Sequence, residues 1–228
     1  MKCDLCPRKC LVDRKKGEKG ICGQTENLKV ARAALHFWEE PCISGDAGSG
    51  AVFFSGCPLH CVFCQNENIA NGTVGKEISL ERLVDIFLEL QEKRANNINL
   101  VTPGHFVPQI VKALDQARKE GLTLPVVYNT SSYETVDTIK MLEGYVDIYL
   151  PDFKYMSPVL SKKYSHAPDY AEVAKAAIAE MVRQTGKAVF VNGEEDNLIL
   201  SGTIVRHLTL PGCMADSMQI LKYLHETY

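Results

Sequence analysis

The 228-residue chain lacks any uninterrupted apolar stretch approaching the roughly 20 residues of a membrane-spanning helix. Its opening, MKCDLCPRKC, also lacks the apolar core of a secretory leader. These absences predict a soluble, cytoplasmic protein with no membrane partner. Net charge is scarce as well. The 25 Lys and Arg against 28 Asp and Glu leave a formal −3, with the basic residues spread along the chain. That argues against nucleic acid as a partner. No internal repeat or low-complexity tract interrupts the sequence, so repeat architectures are set aside.

What the chain has in plenty is cysteine. Seven of its nine fall into two tight groups, at 3, 6, 10 and 22 and at 57, 61 and 64. Cytoplasmic thiols stay reduced, and a chain of this length builds a core without disulfides, so a disulfide framework is not expected. Clustered spacing points instead to metal. Cys42 and Cys213 stand apart and read as buried free thiols.

Residues 1–50 read as a cysteine-rich, metal-binding N-terminal segment with a basic loop, RKKGEKGIC, and a strand at 28–35. Residues 51–228 read as the core domain. Strand-type runs are predicted at 51–55, 98–102, 125–130, 146–150, 188–191 and 203–210. Helical periodicities lie between them: Leu80 to Leu90 behind Ser79 as N-cap, Ile110 to Ala117 before Gly121, Val136 to Leu142 before Gly144, Ala174 to Val182 before Gly186, and Ile220 to Leu224. Strands apolar on both faces that alternate with helices predict an α/β protein with a parallel sheet, doubly wound or barrel-like. Function in such sheets gathers at the C-terminal ends of the strands.

GCPLHCVFCQN follows the first of these strands and holds Cys57, Cys61 and Cys64 in C-x3-C-x2-C spacing with no fourth cysteine nearby. Structural zinc takes four closed ligands, and four-iron clusters normally take four thiolates. Three thiolates on a four-iron cluster leave one iron open, the mark of a metal that reacts. A zinc site completed by His60 or a distant cysteine is the alternative.

The C-x3-C-x-aromatic-C motif, with Phe63 as the aromatic, resembles the radical S-adenosylmethionine (SAM) superfamily. SGCPLHCVFCQN is most similar to the pyruvate formate-lyase activating enzymes. CDLCPRKC…GICG, EEPCISG, NINLVTPGHFVPQI, YLPDFKY and VRHLTLPG together resemble its PflX-like branch. The resemblance implies a partial (β/α) TIM-like barrel. It also implies a [4Fe-4S] cluster on Cys57, Cys61 and Cys64, with SAM on the open iron and an electron donor such as flavodoxin or ferredoxin. Reductive cleavage of SAM would yield a 5′-deoxyadenosyl radical that abstracts hydrogen from a glycine of a glycyl radical enzyme, another peptide or a small molecule.

The resemblance extends to a cradle for SAM at the strand ends. VTPGH keeps only Gly104 of the usual Gly-Gly-Glu-type loop, and His105 is a hydrogen-bond donor to substrate or a surface histidine. Asn129, Thr130 and Ser131 offer polar groups for ribose or carboxylate, or simply cap the next helix. Asp152 and Lys154 of PDFK match an Asp-x-Lys element whose lysine approaches the SAM carboxylate. Arg206 matches a SAM-contacting position, with His207 packed behind. The acidic run at 193–197 reads as a solvated loop.

Cys3, Cys6, Cys10 and Cys22 supply four ligands for a second metal, [4Fe-4S] or zinc, in a head too small to fold by burial alone. Four closed ligands predict a site that does not touch SAM, separable from the reactive group. In the resembled proteins the chain runs on into a sixth barrel strand. Here it ends after a helix at 216–226, which predicts a barrel short of its C-terminal strand, with a bare edge, in a shortened chain or one completed by a partner. A reading from another class remains: a zinc adaptor with two cysteine staples and no chemistry.

Overall fold

The computed structural model describes residues 2–193 and 197–228. Most of the acidic run read as a solvated loop, 194–196, lies outside the described residues. Two strands open the sheet: β1 (Lys29–His36) and, after the short α1 (Pro41–Ser44), the antiparallel β2 (Ser49–Phe54). The expected domain boundary at 50/51 thus falls within β2, and β1 belongs to the same sheet.

Next come α2 (Glu67–Ala70), the two-residue β3 (Lys76–Glu77), α3 (Leu80–Glu92), β4 (Ile98–Val101), α4 (Val107–Lys119) and β5 (Val126–Thr130). The chain continues through α5 (Val136–Lys140), β6 (Ile148–Pro151), α6 (Pro158–Ser165) and α7 (Tyr170–Thr185). It closes with β7 (Val189–Phe190), β8 (Ile199–Thr203) and α8 (Met214–Thr227). The sheet order is β3-β1-β2-β4-β5-β6-β8-β7, with β2, β4, β5, β6 and β8 parallel. The sheet does not close on itself. This is the α/β partial barrel that the resemblance implies.

Every residue of β5 and β6 is buried, as parallel strands covered on both faces require. On one face Leu83, Phe87, Ile110, Leu114 and Met181 of the helices pack on Ile98, Leu100 and Tyr128. On the other, Val127, Ile148, Leu150 and Ile199 meet Ile43 of α1. Local signals fold as expected where they are strong. Ser79 caps α3 by accepting from the Arg82 amide at 3.1 Å, and Gly186 ends α7 with a positive φ of 64°.

Three expectations are corrected. The last strand, predicted at 203–210, lies at 199–203, with only an isolated bridge between Asp152 and Arg206 beyond it. Ile204 N–H still donates to Tyr149 and Arg206 N–H to Pro151, but Pro151 has no N–H to return between them, which interrupts the ladder. The edge beyond β8 is also not bare, because β7 pairs with it antiparallel. Finally, Cys42 and Cys213 are free but only half-buried.

Candidate active site

Gly56 turns the chain out of β2 at φ +92°, where a Cβ would run into the Cys22 carbonyl and the Gln24 side chain. Cys57, Cys61 and Cys64 follow as free thiols. Burial pushes Cys57 up to about 11, against the backbone amides of Leu59 and His60. Burial also raises Cys64, with the Cys61 charge adding to it and Lys154 opposing it. Ser165 at the end of α6 donates its hydroxyl to Cys61 Sγ at 2.9 Å. Phe63 packs edge-on against Tyr155 and Tyr164, each with centroids 6.4 Å away.

The ends of the other parallel strands carry an ionic network. Asp152, just past β6, takes Lys154 Nζ on one oxygen at 2.6 Å and Arg206 Nε on the other at 2.9 Å. Arg206 also donates to Asn129 Oδ1 at 2.6 Å and reaches Glu39 at 3.4 Å and Glu40 at 3.7 Å. Burial raises the Glu39 carboxyl despite the Arg206 charge. Desolvation alone would pull Lys154 down, but Asp152 and Cys61 outweigh it and leave the ammonium above its usual range. The Tyr170 hydroxyl, shared between the carbonyls of Ser131 and Asp152 at 2.8 Å each, ties the β5 and β6 loops together.

The family profile described as Radical SAM superfamily matches residues 51–198. The chain belongs to the radical SAM superfamily. An uncharacterized protein of Methanocaldococcus jannaschii is 28% identical to it over 215 residues, 92% of this chain. The chain spans 57% of that relative's length.

The cysteine loop suits the family's [4Fe-4S] cluster by the chemistry of its donors. Three reduced thiols lie within electrostatic reach of one another, and burial raises two of them, an environment that a bound metal would offset. Among the described residues, no three His, Cys, Asp or Glu side chains converge on one point to hold a single ion as they stand. The head thiols Cys3, Cys6, Cys10 and Cys22 are free too, with burial pushing Cys6 up to about 12 and raising Cys22.

Other expected residues are placed differently from one another. Lys154 and Arg206 come together through Asp152. Gly104 is buried and opens a 3-10 turn, and a Cβ there would collide with the Glu134 carboxylate. Thr130 gives its hydroxyl to that same carboxylate at 2.8 Å, while Ser131 is half-buried beside it. His105 is not a surface histidine: it is 3% exposed, with Nε2 donating to the Ser55 carbonyl at 2.7 Å. Burial lowers it to about 3, so it stays neutral. His207 bridges the Phe153 carbonyl (2.7 Å) and Ser217 (2.8 Å), as a packing residue does.

Sequence reading missed Glu39, Glu134 and Ser165. Glu39 lay inside a stretch noted only for its resemblance, EEPCISG. Ser165 closes a helix whose start was signalled by Ser157 as N-cap and Pro158 at the first turn. Nothing local marks Glu134.

Proposed function

We propose that this protein is a radical SAM enzyme of activating-enzyme type. The carrying observation is three free thiols at the end of the first parallel strand, without a fourth, beside the Lys154–Asp152–Arg206 network. Cys57, Cys61 and Cys64 would hold a [4Fe-4S] cluster and leave one iron for SAM. When bound, the cluster and SAM supply a 5′-deoxyadenosyl radical that takes a hydrogen atom from the substrate.

The chain's own residues do the positioning. Lys154 and Arg206 offer donors to the SAM carboxylate, and Asp152 holds both cations at one side of the mouth. Gly104 keeps backbone close to that mouth, with Ser131 at the neighbouring strand end and Thr130 bracing it through Glu134. Phe63, wedged between two tyrosines, stiffens the cysteine loop. A flavodoxin or ferredoxin would deliver the electron, and a glycine of a glycyl radical enzyme is the substrate this reading favours. The head would hold a second metal, [4Fe-4S] or zinc.

Anaerobic reconstitution tests the reading. Cys57→Ala, Cys61→Ala and Cys64→Ala are each expected to abolish dithionite-driven formation of 5′-deoxyadenosine, because two thiolates do not retain a four-iron cluster. Measurable product from any of the three refutes the assignment. A colourless wild-type protein containing zinc and no sulfide would favour the adaptor.

A further inference from the structure

We infer that Arg8, in the cysteine head, is a positioning residue that fastens the loop of Cys57, Cys61 and Cys64, so that the head and the cluster site act as one unit. The inference rests on the reading of those three cysteines as cluster ligands.

Arg8 lies between Cys6 and Cys10 in sequence and makes no ion pair among the described residues. Its guanidinium is instead spent on three backbone carbonyls. Nε donates to Pro58 at 2.8 Å, inside the cysteine loop, and the two terminal nitrogens donate to His166 at 2.5 Å and Ser165 at 3.0 Å. The last two carbonyls belong to the C-terminal end of α6, where a cation also complements the helix dipole. The planar group stands 5.1 Å over the Tyr133 ring. Three fixed donors and a stacked face match one geometry, which a lysine's single ammonium does not reproduce.

Both ends of this tether touch sulfur. Ser165, one of the three acceptors, gives its hydroxyl to Cys61 Sγ. At the other end, the Arg8 backbone amide hydrogen-bonds the Cys6 thiol. A thiolate held by metal accepts that bond more strongly than a thiol does, so metal in the head would fix Arg8 and through it the loop.

Other links run in parallel. His60 donates Nε2–H to the Ile21 carbonyl at 2.8 Å, beside Cys22. Arg14 donates to the His105 carbonyl at 2.5 Å and stands 5.4 Å over Phe106. The expectation of a head separable from the reactive group therefore meets a head bonded to it.

Backbone amide exchange on the full-length protein tests the tether without any cofactor. Arg8→Ala is expected to speed exchange by about tenfold or more at residues 59–64 and 165–167, the scale of one lost charged hydrogen bond. Strands β4, β5 and β6 should keep their protection, and Arg8→Lys should recover only part of it. In the reconstituted protein, Arg8→Ala should shift the cluster's midpoint potential and weaken the SAM-induced change in its electron paramagnetic resonance.

Against protein whose head carries metal, replacing Cys3, Cys6, Cys10 and Cys22 with Ser should loosen the same residues by less than Arg8→Ala does, because Arg8 keeps its three carbonyl acceptors. Unchanged exchange in the loop of Arg8→Ala, acceleration spread evenly through the barrel, or a four-serine loop as protected as that of wild type with metal in its head would each overturn the proposal. If wild-type protein takes up no cluster, the reading of Cys57, Cys61 and Cys64 fails, while the exchange comparison still decides whether Arg8 holds the loop.

Discussion

Glu134 carries its carboxylate into the interior, where the Thr130 hydroxyl donates at 2.8 Å and the Tyr128 hydroxyl at 3.3 Å. Burial pushes it from 4.5 to about 7. Below 4.5 both folded and unfolded states hold the proton; between 4.5 and 7 only the folded state does. Stability therefore falls as pH rises through that window and levels off above it, by an amount on the order of 3 kcal/mol. Glu134→Gln removes this dependence. Its melting temperature is expected to gain on wild type between pH 5 and pH 8, and parallel pH profiles for the two proteins would refute the shifted carboxyl. At this scale the cysteines were legible because their spacing is itself the signal. Glu134 was not, because its partners Thr130 and Gly104 become neighbours only when β4 and β5 pair.

Elements were legible wherever periodicity and caps agreed, as in α3, α4 and α7. The α6 sequence, PVLSKKYS, has too few apolar residues for a periodic face to announce it, and β8 was displaced by an apolar run whose ladder Pro151 interrupts. The start of α6 also depends on a distant element. Asp216 of α8, 8% exposed, accepts from the amides of Met156 at 3.0 Å and Ser157 at 2.7 Å. Asp216→Ala strands both donors, and since bonds to charged acceptors contribute about 1.5–3 kcal/mol each, a loss of roughly 2–4 kcal/mol is expected. Urea denaturation checks it. An unchanged midpoint would mean that water replaces the carboxylate without cost.

Over the whole molecule, β1 joins the cysteine head to the barrel covalently and through the sheet, while Arg8 and Arg14 bind it from above. Arg14 is 7% exposed, with two of its nitrogens donating to the Thr25 carbonyl and the third to His105. Head and barrel are therefore expected to unfold together. Thermal unfolding followed by far-ultraviolet circular dichroism and by thiol labelling of Cys10 should give one midpoint. A lower midpoint for Cys10 would show a head that opens on its own.

The sequence by itself determined the α/β alternation, the parallel sheet and the two cysteine groups, because periodicity, caps and spacing act among residues a few positions apart. It also placed Asp152 and Lys154 at a strand end, since a motif next to a strand inherits the strand's position, whereas it put Arg206 inside a strand that stops three residues short of it. Tertiary structure alone decided that Asp152 bridges the two cations, that Glu134 fills the space over Gly104, and that Arg8 reaches Ser165 across 157 positions of chain. Such contacts are made by the crossing of elements, and a guanidinium that bonds only backbone carbonyls leaves no partner residue in the sequence to betray it.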